Sequence, residues 1–287
     1  MTIDYDKLIN WNIPEVEQQL SKRDTMLYAL GTGLGFDPVD ENQLRFVYEK
    51  QLQALPSMAI VLGYPGPWHA DPATGVDRSK VVHGEQGFTI HQPLPVEGTL
   101  IGRTRVTGLL DKGEGKGALI LTETTVSLKA SSQPICTLTS TTFARANGGF
   151  GGPSGPARPV HELPTSAPDE VCDLPTLPQQ ALIYRLSGDY NPLHAEPAAA
   201  QKSGYRMPIL HGRCTFGVAA HAILKTLCGY DPSRFKSMEA RFSAPVFPGE
   251  SIRTEMWQNG TVVSFRSLVA ERNAVVINNG RAEIAPR

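Results

Sequence analysis

Between Asn147 and Pro178 the chain carries more glycine and proline than a helix or a central strand tolerates. The stretch opens with GGFGGPSGP and continues through Pro159, Pro164, Pro168, Pro175 and Pro178. Proline fixes φ and removes a backbone donor, and clustered glycines leave the backbone without a preferred conformation. It reads as a long linker draped over the surface, cutting the 287 residues near their middle into 1–146, 147–178 and 179–287. That length suits two domains, and 40% hydrophobic residues suffice for two cores.

The flanks of the linker read as diverged copies. In the second, Pro197 opens a short helix closed by Gly204, and a longer helix runs from Gly212 to Cys228. There Val218, Ala219, Ala222, Ile223 and Leu227 recur at helical spacing and Gly229 is the stop. Strand-like runs follow at 238–243, 251–257, 261–270 and 274–284, with Asn259-Gly260 as a hairpin turn. The first flank offers a helical region over 41–62 and strands near 86–91, 99–110, 117–129 and 134–145. Helix followed by antiparallel strands, twice, is an α+β pattern.

Charge and cysteine usage narrow the partners. A net charge of −1 lacks the basic excess of a nucleic-acid or anionic-membrane surface. No run is long enough to span a membrane, and the N-terminal residues do not read as a signal peptide. The last three residues, Ala285-Pro286-Arg287, are not a Ser-Lys-Leu type peroxisomal address. Cys136, Cys172, Cys214 and Cys228 show no paired spacing, which fits a reducing compartment. The expectation is a soluble cytoplasmic protein.

Function is most legible at Tyr184-Arg185-Leu186-Ser187-Gly188-Asp189-Tyr190-Asn191-Pro192-Leu193-His194. Gly188 and Asn191-Pro192 punctuate a turn, and a turn can aim a carboxylate and an imidazole at one point. Asp189 and His194 are side chains that exchange protons near neutral pH when their surroundings tune them. Addition or removal of water needs such a pair.

This segment resembles the signature of the MaoC-like (R)-specific 2-enoyl-CoA hydratases, the hydratase 2 family. Pro208 to Gly217 (PILHGRCTFG) and Ala240 to Gly249 (ARFSAPVFPG) are similar to that family's following segments. Phe46-Val47-Tyr48-Glu49, Leu55-Pro56 and Val82 to Gln86 resemble its N-terminal repeat. The likeness covers nearly the whole chain. It implies a double hot-dog fold, two long central helices each wrapped by an antiparallel sheet. It also implies that residues 1–146, lacking the catalytic loop, bind acyl chain and CoA, while 179–287 carry one active site per chain. The activity implied is reversible hydration of trans-2-enoyl-CoA to (R)-3-hydroxyacyl-CoA, in fatty-acid β-oxidation or hydroxyalkanoate supply. A homodimer is expected by analogy within the family.

Hydration needs a base for the attacking water, a proton for C2 and a donor to the thioester oxygen. His194 is assigned to the water and Asp189 to the return of a proton; the reverse allocation is also open, and a coupled pair can titrate as a unit. Asn191 is suited to orienting the water. Gly212 stands where the long helix begins, with an N–H unpaired inside the helix, and is the expected oxyanion donor. Glu49 matches an acidic position of the family, with a solvated or ion-paired Glu as the competing reading. His83 and Glu85 read as part of a structural turn, and His211 as a satisfied, half-buried histidine. Gly31-Thr32-Gly33-Leu34-Gly35 lacks the spacing and the βαβ context of a nucleotide loop. No metal and no cofactor is expected; coenzyme A enters as the substrate's thioester, and the apolar run Leu52 to Leu62, interrupted by Pro56, is expected to open an acyl tunnel. Two rivals remain: a thioesterase on the same fold, and a non-catalytic acyl-CoA binding protein.

Overall fold

Among the described residues, 2–155 and 159–286 of a computed structural model, ten strands form a single antiparallel sheet. In chain order they are β1 (Val16–Leu20), β2 (Val81–Ile90), β3 (Gly98–Asp111), β4 (Ala118–Leu128), β5 (Pro134–Ala144), β6 (Glu170–Pro175), β7 (Phe235–Phe242), β8 (Ser251–Asn259), β9 (Val262–Val269) and β10 (Ala274–Ile284). The helices are α1 (Tyr5–Ile9), α2 (Lys22–Gly31), α3 (Glu41–Val47), α4 (Gln180–Tyr184), α5 (Pro197–Lys202) and α6 (Gly212–Thr226). Residues 156–158 of the expected linker, and Arg287 of the C-terminal tripeptide, lie outside the described residues.

Across the sheet the order is β1-β3-β4-β5-β2-β7-β10-β9-β8-β6. Outward from the central β2–β7 pair, both flanks follow one plan: β2-β5-β4-β3-β1 on one side, β7-β10-β9-β8-β6 on the other. In each half a short edge strand comes first, then a helix (α2 or α4), then a central segment and four long strands. The arrangement is an α+β double hot-dog. At the joint, Glu85 opposes Arg241 and Thr89 opposes Ser237, and the Glu85 carboxylate accepts from Arg241 Nε at 2.5 Å and from Thr141 Oγ1 at 2.8 Å.

α6 is the long central helix expected of the second half. Cys214 through Leu224 are all buried, because one side meets its own sheet and the other meets the first half, where Phe216 packs edge-on against Phe88. A helix buried all round must be mostly apolar, and within that stretch only Thr215 and His221 are polar. Gly229, at φ +60°, lies just beyond its end.

The first half departs from expectation. Its helical region over 41–62 is not one long helix: α3 ends at Val47, Gln51 takes a positive φ of 57°, and a six-residue 3-10 turn, Pro56–Val61, stands where α6 stands in the other half. Proline biases the residue before it away from helix, so Leu55-Pro56 breaks the run. The expected linker also differs, since β6 lies within it and pairs with β8 from Glu170↔Met256 to Pro175↔Ser251. Cys172 and Leu174 alternate inward, and an edge strand tolerates Pro175 at its end. β1 and α2 were not anticipated at all.

The segment after the 3-10 turn is clamped to the sheet. Gly63 N donates to Gln18 Oε1 at 2.7 Å, and its backbone lies so close to Gly102 of β3 that a Cβ on Gly102 would meet Gly63 Cα at 2.5 Å. Gly102→Ala is expected to cost about 1–3 kcal/mol through this overpacking, seen as a lower urea midpoint with an unchanged slope. Wild-type stability would show that the segment is free to yield.

Candidate active site

The loop from Tyr184 to His194 builds itself from local hydrogen bonds. α4 runs into a 3-10 turn, Arg185–Ser187, which ends on Gly188 at φ +112°, a backbone state that favours glycine. Asp189 Oδ1 accepts from Asn191 N at 3.2 Å, and Asn191 Oδ1 accepts from Leu193 N at 3.1 Å, capping the turn Pro192–His194. These are the Asx contacts that aspartate and asparagine make in turns. They hold the backbone while leaving Asp189 half-buried at the surface of two cavities.

His194 is buried behind that wall, only 8% exposed. Its Nδ1 lies 2.8 Å from the carbonyl oxygen of Ile209. A carbonyl only accepts, so Nδ1 carries the proton and Nε2 keeps its lone pair. Burial lowers the His194 pKa below the usual imidazole value, so the ring is neutral and basic at neutral pH.

His211 is more than the satisfied histidine expected. Its Nε2 donates to the carbonyl oxygen of Asp189 at 3.1 Å, and its ring stacks on His194 with centroids 3.7 Å apart. Its Nδ1 is buried with no hydrogen-bond partner. Burial, with the neighbouring His194 charge second, pushes its pKa down to about 4. Two stacked imidazoles cannot both ionise cheaply, so the pair carries at most one proton beyond neutrality.

Asp189, His194 and His211 bring one donor atom each within 4.8 Å of one another. A water hydrogen-bonded to two groups at about 2.8 Å each needs them roughly 4.5 Å apart, so this spacing suits a bridging water.

Gly212 is the first residue of α6, and its N–H has no partner within the helix. Asn191 is exposed and lines the larger cavity. Glu49 is not brought to this site; it lies exposed on the bend after α3 and lines neither cavity. α3 ends at Val47, before Tyr48 and Glu49. His83 and Glu85 belong to β2 rather than to a turn, and His83 lines the larger cavity with its ring 4.7 Å from Phe242.

Two cavities, of about 710 and 400 Å³, share Tyr64, Gly188, Asp189 and Arg213. Arg213, half-buried and without an ion pair among the described residues, lies 4.7 Å over the Tyr64 ring. Neither residue stands out in sequence; only position 213, directly after the expected oxyanion glycine, points to one of them. The larger cavity runs under the first half's sheet along Ile60 and Leu62, and the smaller follows the edge strand β1 at Gln18 and Gln19.

This double hot-dog sets a carboxylate and an imidazole, Asp189 and His194, beside the N-terminus of its central helix, an arrangement suited to acid–base enzymes. Residues 19–146 match the MFE-2 hydratase 2 N-terminal domain, and residues 159–279 match the MaoC like domain. The chain is 39% identical to the probable enoyl-CoA hydratase 2 of Dictyostelium discoideum over 100% of this chain and 98% of that protein. It is 40% identical to the peroxisomal enoyl-CoA hydratase 2 of Arabidopsis thaliana, over 95% of this chain and 93% of that one. The crystal structure of a MaoC-like dehydratase from Phytophthora capsici superposes with a TM-score of 0.86 at 36% identity, covering 98% of this chain and 99% of that one. The chain belongs to the MaoC-like hydratase 2 family. No helix among the described residues is long and apolar enough to cross a membrane.

Burial of neutral histidines links stability to pH. His211 and His221 are 1% and 2% exposed, and burial lowers both from 6.5 to about 4. Between those values the unfolded chain takes up protons that the folded chain does not, so stability is full above about pH 6.5 and falls toward pH 4. Each group contributes about 1.4 kcal/mol per pH unit inside that window. Urea midpoints at pH 7, 6 and 5 should decline steadily; a flat series would contradict the neutral buried state.

Proposed function

We propose that this enzyme reversibly hydrates trans-2-enoyl-CoA to (R)-3-hydroxyacyl-CoA, within fatty-acid β-oxidation or hydroxyalkanoate supply. The observation that carries the reading is the His194 ring. Its Nδ1–H is fixed on Ile209, so Nε2 is free to act as a base near the Asp189 carboxylate. The hydratase names of the full-length relatives support it. They do not favour the thioesterase or the non-catalytic reading.

In this mechanism a water bridges Asp189 and His194. His194 Nε2 takes its proton as the oxygen bonds to C3 of the enoyl group. The electron pair of the C2–C3 double bond moves toward the thioester carbonyl, whose oxygen becomes enolate-like. The N–H of Gly212 donates to that oxygen, aided by the positive end of α6. His194 then passes that proton to the Asp189 carboxylate, which delivers it to C2 and so resets the pair. Asn191 orients the water. His211 positions both groups, by its bond to the Asp189 carbonyl and its stack on His194. The (R) configuration follows the family.

No metal or cofactor enters this scheme, and the thioester is the substrate. Acyl-CoA is the partner, with neither nucleic acid nor membrane among the binding surfaces. The proposal includes a cytoplasmic homodimer, to be tested by analytical ultracentrifugation and by cell fractionation, since one relative's name places it in peroxisomes.

Hydration of crotonyl-CoA, followed by loss of enoyl absorbance with chiral analysis of the product, is the direct test. Asp189→Ala and His194→Ala should each lower kcat by about 10²–10⁴-fold, with circular dichroism unchanged; near-normal turnover by either variant would remove the mechanism. Dialysis against EDTA should leave the rate intact, and its loss would bring a metal back into the scheme.

A further inference from the structure

The larger cavity lies beside the 3-10 turn that stands in the place of α6, lined there by Ile60 and Leu62. In the second half the sheet buries Ile252, Met256, Val263 and Phe265 in the core around α6. In the first half Leu100, Val126 and Leu138 join the same core, and the sheet wall of the cavity adds hydroxyl groups to the apolar lining of Ile60, Leu62, Val81 and Leu138. Thr104, Thr122, Thr124, Ser140 and Thr142 line it, together with His83. The register sets them side by side across four strands: Thr104 opposite Thr124, Thr122 opposite Ser140, and His83 opposite Thr142.

Neighbouring groups on this wall already bond to one another. The Thr104 and Thr124 hydroxyls are 2.8 Å apart, and Ser140 Oγ is 3.0 Å from His83 Nε2. A hydroxyl offers one donor and two acceptor positions, so each retains capacity for whatever fills the space. A plain alkyl chain would strip water from this wall and return no hydrogen bond, which is unfavourable for each polar group covered. A chain bearing its own oxygen atoms would replace that water. The two cavities meet at Asp189, and the one of about 710 Å³ has the room for a long acyl group on its hydroxyl-bearing wall.

We propose that this cavity selects enoyl thioesters whose acyl chain carries hydroxyl or oxo groups over plain alkyl chains of equal length. The inference rests on the hydratase reading and names the substrate class of the same site. Thr104 and Thr124 are its specificity residues, since they form the hydroxyl pair between β3 and β4.

The test compares trans-2-decenoyl-CoA with its counterpart hydroxylated toward the far end of the chain. The wild-type enzyme should favour the hydroxylated thioester by about fivefold or more in kcat/KM, the scale of one added hydrogen bond. The nearly isosteric Thr104→Val/Thr124→Val variant should bring that ratio to one or below. Equal or better use of the plain chain by the wild type overturns the proposal, whether or not the variant folds. So does a variant in which KM rises by one common factor on crotonyl-CoA and both decenoyl thioesters, because the wall would then serve CoA. If crotonyl-CoA is not hydrated at all, the hydratase reading fails separately. Calorimetric binding of the two saturated decanoyl thioesters then decides the preference on its own, with equal affinities overturning it.

Discussion

The pairing of β2 with β7 is the constraint on which the rest of this molecule depends. It joins two hot-dog sheets along strands that run antiparallel, with the Glu85–Arg241 pair across the seam. Fusing the sheets this way lets α6 serve both halves: one side packs on its own strands and the other reaches Phe88 and the 3-10 turn of the first half. A helix enclosed on every side has a fixed position, and so does its N-terminus. Gly212 and His194, the proposed oxyanion donor and base, are then placed by core packing as well as by a surface loop. Gly212 opens α6, Ile209 precedes it by three residues, and the Ile209 carbonyl holds His194 Nδ1.

What was legible in the sequence was what local chemistry alone determines. The strands of the second half, α6 with Gly229 beyond it, the Asn259-Gly260 hairpin and the turn around Asp189 all follow from residues close together in the chain. The first half's central segment was misread because apolar content from Leu52 to Leu62 resembles a buried helix, while Pro56 and the positive φ at Gln51 break it. β1 went unread because its sequence, VEQQL, has three polar residues and only its pairing with β3 makes it a strand. α2 has almost no amphipathic pattern, yet its capping box was readable: Ser21 and Asp24, three apart, each accept from the other's backbone N–H. β6 lay hidden under the prolines around it.

Within the site the division is the same. Asp189, Asn191 and His194 sit in one contiguous loop, so their nearness is readable from local turn chemistry. His211 and Arg213 flank Gly212 in sequence, but their roles arise from tertiary contacts: a ring stacked on His194, and a guanidinium lying over Tyr64 from a distant segment. Glu49 is exposed, which fits the solvated alternative that its sequence context also offered.

The asymmetry between the halves has a physical cost and a use. A second buried helix in the first half would add apolar contact of the kind that secures α6; the cavity forgoes it, and voids lose both burial and dispersion energy. The space stays open because its boundary is held from outside, by the Gly63–Gly102 approach, the Gln18 bond to the same segment, and the continuous sheet behind it. Hydroxyl groups on the inner face lower the cost further, since a polar wall can hold water when no ligand is present. The same choice of Thr and Ser over Val and Ile makes the empty cavity tolerable and biases what may fill it, so stability and specificity here depend on one set of side chains.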